Sequence, residues 1–386
     1  MTLAFEPERG FGVYIHWPYC ARICPYCDFN VYAAKTRDTA PLIEALKADL
    51  SNWRVLTGDR EVTSVFFGGG TPSLISPDAV SDLIDHIGGL WRLDKSAEIT
   101  LEANPDDSAS FADFASAGVD RLSLGVQSLD DKALAFLGRN HNVDEARNAI
   151  NAARGRFRSL SLDFIYALPG QNKQDWSLAL NQALSLGADH LSLYELTIEQ
   201  RTAFAKAVER GAFNPLDEDS AADLYELTDE ITLAAGFGPY EISNYAGETS
   251  HQSTHNRIYW RSGDWLGVGP GAHGRLTLEG GRYATVAEMR PDAYIKDIGS
   301  AWRTREALSV FDAAYERLAM GLRLLDGAPR LDFEDLADRK IPEANIEGLV
   351  ASGLLRVDAD RLKLTLQGRL MADYVTRELV EGVAPD

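Results

Sequence analysis

Cysteine is scarce in this sequence. Its 386 residues hold three, and all three lie between positions 20 and 27. An odd, clustered set argues against a disulfide framework and for a metal or redox site in a reducing compartment. Positive charge is also short: 38 Lys and Arg stand against 58 Asp and Glu, a formal charge of −20. So acidic a surface repels phosphate backbones, and general nucleic-acid binding is not an expected role, although a local basic patch stays compatible with it. No apolar run approaches the length needed to cross a bilayer, so no transmembrane segment is expected. Residues 1–10 lack a basic stretch followed by an apolar one; no secretory leader is expected, and the cytoplasm is the expected location. What is there is an ordinary globular balance, 45% hydrophobic and 25% charged, in a chain long enough for a large core and a second module.

The first 240 residues alternate short β-rich runs with amphipathic ones. Strands are predicted at 11–16, 62–67, 98–102, 121–126, 160–165 and 190–196, and a short seventh at 240–243. Between them, Leu42, Ile43, Leu46, Leu50 and Trp53 fall at helical spacing, and Ser76-Pro77 is a helix start with a capping serine and a proline at the first helical position. Further helices are predicted near 111–117, 130–138, 143–154, 173–186, 200–210 and 219–235. Alternation at this spacing implies right-handed parallel crossovers, and six units in series predict an α/β fold, an incomplete TIM-like (β/α)6 barrel. A doubly wound open sheet has the same period and is the alternative.

Three regions follow. Residues 1–243 are the barrel, and 244–305, rich in Gly, His, Trp and Tyr in irregular order, read as a long functional connection. Residues 306–386 form a smaller helical domain whose two short strands near 355–357 and 362–364 make it winged-helix-like. In an acidic protein such a module more often packs or meets a partner than reads DNA.

The cysteines read Cys20-Ala21-Arg22-Ile23-Cys24-Pro25-Tyr26-Cys27, a Cys-x3-Cys-x2-Cys loop directly after the first strand. Three thiolates on one tight loop can hold three irons of a 4Fe–4S cubane. The fourth iron then has no protein ligand, and an open iron can chelate the amino and carboxylate groups of an amino acid. Zinc is the competing occupant, but zinc favours four ligands and a second cysteine pair is missing; His16 is the available fourth. The polar motifs fall at equivalent ends of successive strands: Gly68–Gly70 after the second, Glu102 after the third, Gln127 after the fourth, with Asp163 inside the fifth. In a barrel the C-terminal strand ends form the active face, so these groups should converge with the cysteine loop. The glycines remove side chains where backbone comes close to a ligand.

With these motifs the chain resembles the radical S-adenosylmethionine superfamily, in its HemN/HemW branch. The resemblance runs through Gly68-Gly69-Gly70-Thr71-Pro72, Glu102-Ala103-Asn104-Pro105, Leu124-Gly125-Val126-Gln127-Ser128, Asp163-Phe164-Ile165-Tyr166-Ala167-Leu168-Pro169-Gly170 and Tyr240-Glu241-Ile242-Ser243-Asn244-Tyr245-Ala246. It ends with His255-Asn256-Arg257-Ile258-Tyr259-Trp260 and Gly267-Val268-Gly269-Pro270-Gly271-Ala272-His273. It implies S-adenosylmethionine bound beside the cluster. The positions matching the branch's cofactor contacts are Tyr14, Gly69, Gly70, Thr71, Glu102, Gln127, Arg139 and Asp163, with Tyr26 near the adenine through its backbone.

Two functions are compatible with the resemblance. One is an oxygen-independent coproporphyrinogen III dehydrogenase, which decarboxylates two propionates by radical chemistry. The other is a heme chaperone of the HemW type, which binds heme and hands it to an acceptor protein. The dehydrogenase pattern carries a further cysteine two residues after Cys27, where this chain has Phe29. The resemblance also makes His255 the candidate axial ligand for heme, with His251 and His273 behind it. The chaperone is therefore the expected function. Heme, a heme-acceptor protein and a second copy of the chain, as a homodimer, are the partners considered.

Overall fold

The computed structural model describes residues 4–34, 38–297 and 302–383. Its first half is a run of strand–helix units. β1 (Phe11–Trp17) leads to α1 (Ala40–Thr57), β2 (Glu61–Gly69) to α2 (Pro77–Leu90) and β3 (Arg92–Ala103) to α3 (Phe111–Ser116). β4 (Arg121–Gln127) is followed by α4 (Asp131–Phe136) and α5 (Val143–Ala153), β5 (Ser159–Tyr166) by α6 (Lys173–Leu184), and β6 (His190–Glu195) by α7 (Ala203–Glu209) and α8 (Glu218–Ala234). Ser76 caps α2 by accepting from the Ala79 amide.

β1 to β6 lie side by side in chain order, each parallel to the one before. Every unit thus adds on the same flank. A doubly wound sheet reverses direction at a switch point, so that alternative is excluded and the incomplete barrel stands. The strands alternate strictly. In Arg121-Leu122-Ser123-Leu124, Ser159-Leu160-Ser161-Leu162 and His190-Leu191-Ser192-Leu193, every leucine is buried in the layer shared with the helices. Arg121, Ser123, Ser161, His190 and Ser192 instead line an interior cavity. A TIM barrel fills that space with branched apolar side chains. Short hydroxyls leave it open here.

Residues 244–305 depart from the irregular connection read from their sequence. They contain β7 (Asn244–Ala246), α9 (Thr254–Trp260), β8 (Asp264–Val268), β9 (His273–Leu278), β10 (Gly281–Ala287), α10 (Pro291–Lys296) and the start of β11 (Trp302–Ala307). β8 joins the free flank of β1 in parallel, and β9, β10 and β11 follow as antiparallel neighbours. Glycine hides these strands from periodicity: a Cβ at Gly267 would lie 2.1 Å from the His273 carbonyl oxygen, so the turn between β8 and β9 closes only without one. The expected seventh strand is displaced as well. β7 runs antiparallel to β6 and pairs with Gly238–Pro239, and residues 240–243 are the turn between them.

The chain ends in a separate apolar cluster. α11 (Val310–Leu322), α12 (Arg330–Ala337) and α13 (Glu343–Ala351) precede the hairpin β12 (Leu355–Asp358) and β13 (Arg361–Leu364), then α14 (Leu366–Leu370) and α15 (Ala372–Leu379). Leu318, Phe333, Ile346, Leu355, Leu362 and Val375 form its core. It rests on the barrel through ion pairs, Arg369 to Asp229, Arg9 to Asp332 and Arg317 to Glu6.

Candidate cofactor site

The cysteine loop leaves β1 at the C-terminal ends of the strands, where the polar motifs also end. One cavity of about 420 Å3 is lined by Cys20, Cys24, Cys27, Tyr26, Gly69, Gly70, Thr71, Glu102, Gln127, Arg139 and Asp163. The convergence argued from strand periodicity is therefore present. Tyr14 stands just behind this lining, its ring beside Phe66, which does face the cavity.

The glycines have a more specific cause than close approach to a ligand. Gly69 has φ +107, and a Cβ there would lie 2.6 Å from the His16 ring. One on Gly70 would meet the Tyr19 carbonyl oxygen at 2.6 Å and the Cys20 sulfur at 3.0 Å. Their missing side chains let the cysteine loop lie on the end of β2. The Gly69 amide donates to Glu102 at 3.1 Å. Desolvation within the barrel, with Asp163 near, raises the Glu102 carboxyl to about 8. Asp163 is raised by burial too, and it accepts from Ser123 Oγ at 2.8 Å and Ser161 Oγ at 3.1 Å. Two carboxyls raised in this way beside the cavity suit a ligand that brings an ammonium and hydroxyl groups, because a cation favours the charged form.

Arg139 ties the loop to the barrel. Its Nη1 lies 3.4 Å from Cys24 Sγ, and its Nη2 donates to Gly125 O at 3.1 Å and to Asn104. Gln127 closes β4 at φ +65, a left-handed conformation rare for a residue with a side chain and common at functional sites. A Cβ on Gly125 would lie 2.9 Å from Gln127 Nε2.

The thiols are all free. Burial raises Cys20 and Cys27, the latter to about 11, so iron must displace their protons on binding. Among the described residues no three His, Cys, Asp or Glu are gathered closely enough to hold a single ion. A cubane places its thiolates on separate irons and does not require that gathering, whereas zinc does. His16 is occupied elsewhere: its Nδ1 lies 3.0 Å from the Tyr14 hydroxyl and its Nε2 3.0 Å from Asn30 O. The donor set therefore fits the cluster, with Cys20, Cys24 and Cys27 as its ligands.

His255 lies at the other end of the barrel. It is 2% exposed, on α9, which plugs the N-terminal ends of the strands. Its Nδ1 is 2.8 Å from Ser64 Oγ and its Nε2 2.7 Å from the Tyr259 hydroxyl, and its ring stacks on Phe66 at 4.8 Å. Burial lowers its pKa to about 3. Both nitrogens of this neutral ring are engaged, which is the arrangement of a structural histidine. Asn256, one residue on, lines the cavity. His251 sits 3.9 Å from Asp189, and His273 is exposed at the start of β9. Sequence reasoning missed Asn104, Ser123 and Ser161, which hold Arg139 and Asp163. The Ser–Leu alternation of β4 and β5 was the signal for the two serines.

The fold and site have counterparts. A family model for the Radical SAM superfamily matches residues 14–183, and one for the HemN C-terminal domain matches 308–371. The chain is 37% identical to "Heme chaperone HemW" of Escherichia coli over 93% of this chain and 95% of that one. It is 37% identical to "Heme chaperone HemW" of Mycobacterium tuberculosis over 98% and 97%. It is 38% identical to "Radical S-adenosyl methionine domain-containing protein 1, mitochondrial" of Bos taurus over 96% and 87%. The solved structure of coproporphyrinogen III oxidase (HemN) from Escherichia coli, a radical SAM enzyme, superposes with a TM-score of 0.80 at 21% identity, over 97% of this chain and 91% of that one.

Proposed function

Because the chain belongs to the radical S-adenosylmethionine superfamily, in its HemN/HemW branch, we propose that it is a heme chaperone, binding heme and passing it to an acceptor protein in the cytoplasm. The observation that carries this reading is Phe29. It stands where the dehydrogenase pattern has a cysteine, lines the cofactor cavity and is 59% exposed at its mouth. An apolar ring at that place suits a flat apolar ligand more than a proton-transfer or redox role. The full-length relatives named heme chaperones support the same reading.

S-adenosylmethionine and the 4Fe–4S cluster follow from the family. When bound, the cluster supplies an electron to the cofactor's sulfonium. The chain's own part is positional. Cys20, Cys24 and Cys27 would hold three irons and leave one free, while Glu102, fixed by the Gly69 amide, would receive the cofactor's ammonium. Asp163, fixed by two serines, would receive its hydroxyl groups, and Arg139 braces Cys24.

A second reading has its own support. The cavity brings the three cysteines together with Gly69, Gly70, Glu102, Gln127, Arg139 and Asp163, a set suited to radical chemistry, which supports a coproporphyrinogen III dehydrogenase. One preparation separates the two. After anaerobic reconstitution, one portion is titrated with heme, and another receives coproporphyrinogen III, reductant and S-adenosylmethionine. A stoichiometric Soret band without porphyrinogen turnover is expected; steady turnover would make the protein the dehydrogenase. His255→Ala is expected to keep the Soret band if the ring is structural, and its loss would make His255 the axial ligand.

A further inference from the structure

The three cysteines share one loop, but the loop is tied down differently at each of them. Beside Cys20 it lies on the end of β2, where the Gly70 amide donates to Trp17 O at 2.7 Å and the Thr71 amide to Tyr19 O at 2.9 Å. Its middle is held by Arg139 on Cys24 and by the Phe204 amide of α7, which donates to Pro25 O at 2.9 Å. Cys27 and Phe29 make hydrogen bonds only within the loop, among the described residues. The Cys27 amide donates to Cys24 O at 3.1 Å, its sulfur is bonded to the Phe29 backbone, and Phe29 O accepts from the Val31 amide.

Asn30 is where this third limb meets the rest of the chain. Its carbonyl oxygen lies 3.0 Å from His16 Nε2. A carbonyl only accepts, so Nε2 carries the proton and Nδ1 accepts from the Tyr14 hydroxyl at 3.0 Å. The Asn30 side chain donates through Nδ2 to Pro270 O and to Met289 O, each at 2.8 Å. Pro270 is in the turn between β8 and β9, and Met289 follows β10. Gly271 has φ +84 and gives the amide its room: a Cβ there would lie 2.4 Å from Asn30 Nδ2 and 2.8 Å from Asn30 Cγ. The extension β8–β10 lines none of the cofactor cavity, yet through Pro270, Gly271 and Met289 it grips the loop that does.

We infer that Asn30 is a positioning residue for Cys27, and that the extension β8–β10 is the frame against which it holds that cysteine. A residue bonded at three points, three positions beyond Cys27, limits how far the sulfur can move, and it keeps the adjacent Phe29 at the cavity mouth. The inference rests on the assignment of the three cysteines to one cluster and is independent of the heme reading.

Four variants test it. Asn30→Ala removes both donations, and Asn30→Leu removes them while keeping the side chain's bulk. Gly271→Ala presses on the amide from the far side. Tyr32→Phe is the control: it deletes another donor to Met289 O, at 3.1 Å, and a 3.4 Å contact with Asn30 Oδ1, and leaves both Asn30 donations in place. In the metal-free proteins, iodoacetamide alkylation is followed separately at each cysteine by peptide mass. Cys27 should react about tenfold faster in the two Asn30 variants and in Gly271→Ala, the order expected for two lost neutral hydrogen bonds, with Cys20 unchanged. Tyr32→Phe should match wild type. In the reconstituted proteins, a chelator should strip iron about tenfold faster from the same three variants. Cys27 reacting at the wild-type rate in both Asn30 variants would overturn the inference. So would all three cysteines accelerating together with a lower melting temperature, which is general loosening, or Tyr32→Phe matching Asn30→Leu. A wild type that takes up no cluster would defeat the ligand assignment instead, and the metal-free arm tells that failure from this one.

Discussion

At the scale of single residues, burial decides the chemistry more than charge pairing does. Cys24 is the middle cysteine of the loop, and Arg139 lies against its sulfur. Two remaining thiolates do not retain a cubane, so Cys24→Ala should lose the visible iron–sulfur chromophore; iron and sulfide contents equal to wild type would show the ligand assignment to be wrong. Asp49 is a second case, far from the cavity. It is 1% exposed and accepts from the Tyr294 hydroxyl at 2.6 Å, and Tyr294 in turn accepts from the Gly269 amide. Burial raises its carboxyl to about 7, against 3.8 ordinarily. The stability it contributes is full below about pH 4, is lost as the pH rises through 7, and changes little beyond. Asp49→Asn abolishes that titration. Urea denaturation should therefore find the variant gaining on wild type between pH 5 and pH 8, by about 3 kcal/mol. A gap that stays constant with pH would mean that Asp49 is ionised in the folded protein.

At the scale of elements, α9 shows how a short helix is held where propensity alone would not keep it. Glu98 Oε1 accepts from the Thr254 amide at 2.8 Å and the His255 amide at 3.3 Å, so a barrel strand caps the helix. Arg121 lies 3.5 Å from the other Glu98 oxygen and donates to His251 O at 2.8 Å. Gly12 of β1 provides the space: a Cβ there would press on the His255 ring at 3.3 Å. Glu98→Ala leaves both amides uncapped and Arg121 buried without its carboxylate, and should destabilise the protein by about 3 kcal/mol. Glu98→Gln keeps an acceptor and should lose less, about 1 kcal/mol. Denaturant midpoints of the two variants check this; equal losses would mean that the cap contributes nothing.

At the scale of the whole molecule, the C-terminal unit is joined to the barrel by ion pairs. Arg369 binds Asp229 of α8 through both terminal nitrogens, at 3.0 and 2.9 Å, with both side chains nearly covered. Arg369→Ala strands a buried carboxylate and should lower stability by about 3 kcal/mol. It should also split one calorimetric transition into two, since each unit has its own apolar core. A single transition at the wild-type temperature would show that the pair does not couple the units. No helix among the described residues is long and apolar enough to cross a membrane.

Much of this was legible in the sequence, for a physical reason in each case. The six parallel strands and their helices follow from periods of 2 and 3.6, which depend only on backbone geometry. The gathering of the three cysteines follows from spacing within one loop, and the convergence of Gly69, Glu102, Gln127 and Asp163 from the shared direction of parallel strands. The tertiary structure decided the rest, because it depends on partners distant in the chain. Strands β8–β11 are visible only once β1 offers them an edge, since their glycines answer to neighbours such as the His273 carbonyl. The surroundings of His255 depended on Ser64 and Tyr259, which engage both ring nitrogens. Spacing along a chain fixes which groups an element presents; only packing fixes which of them are left without a partner.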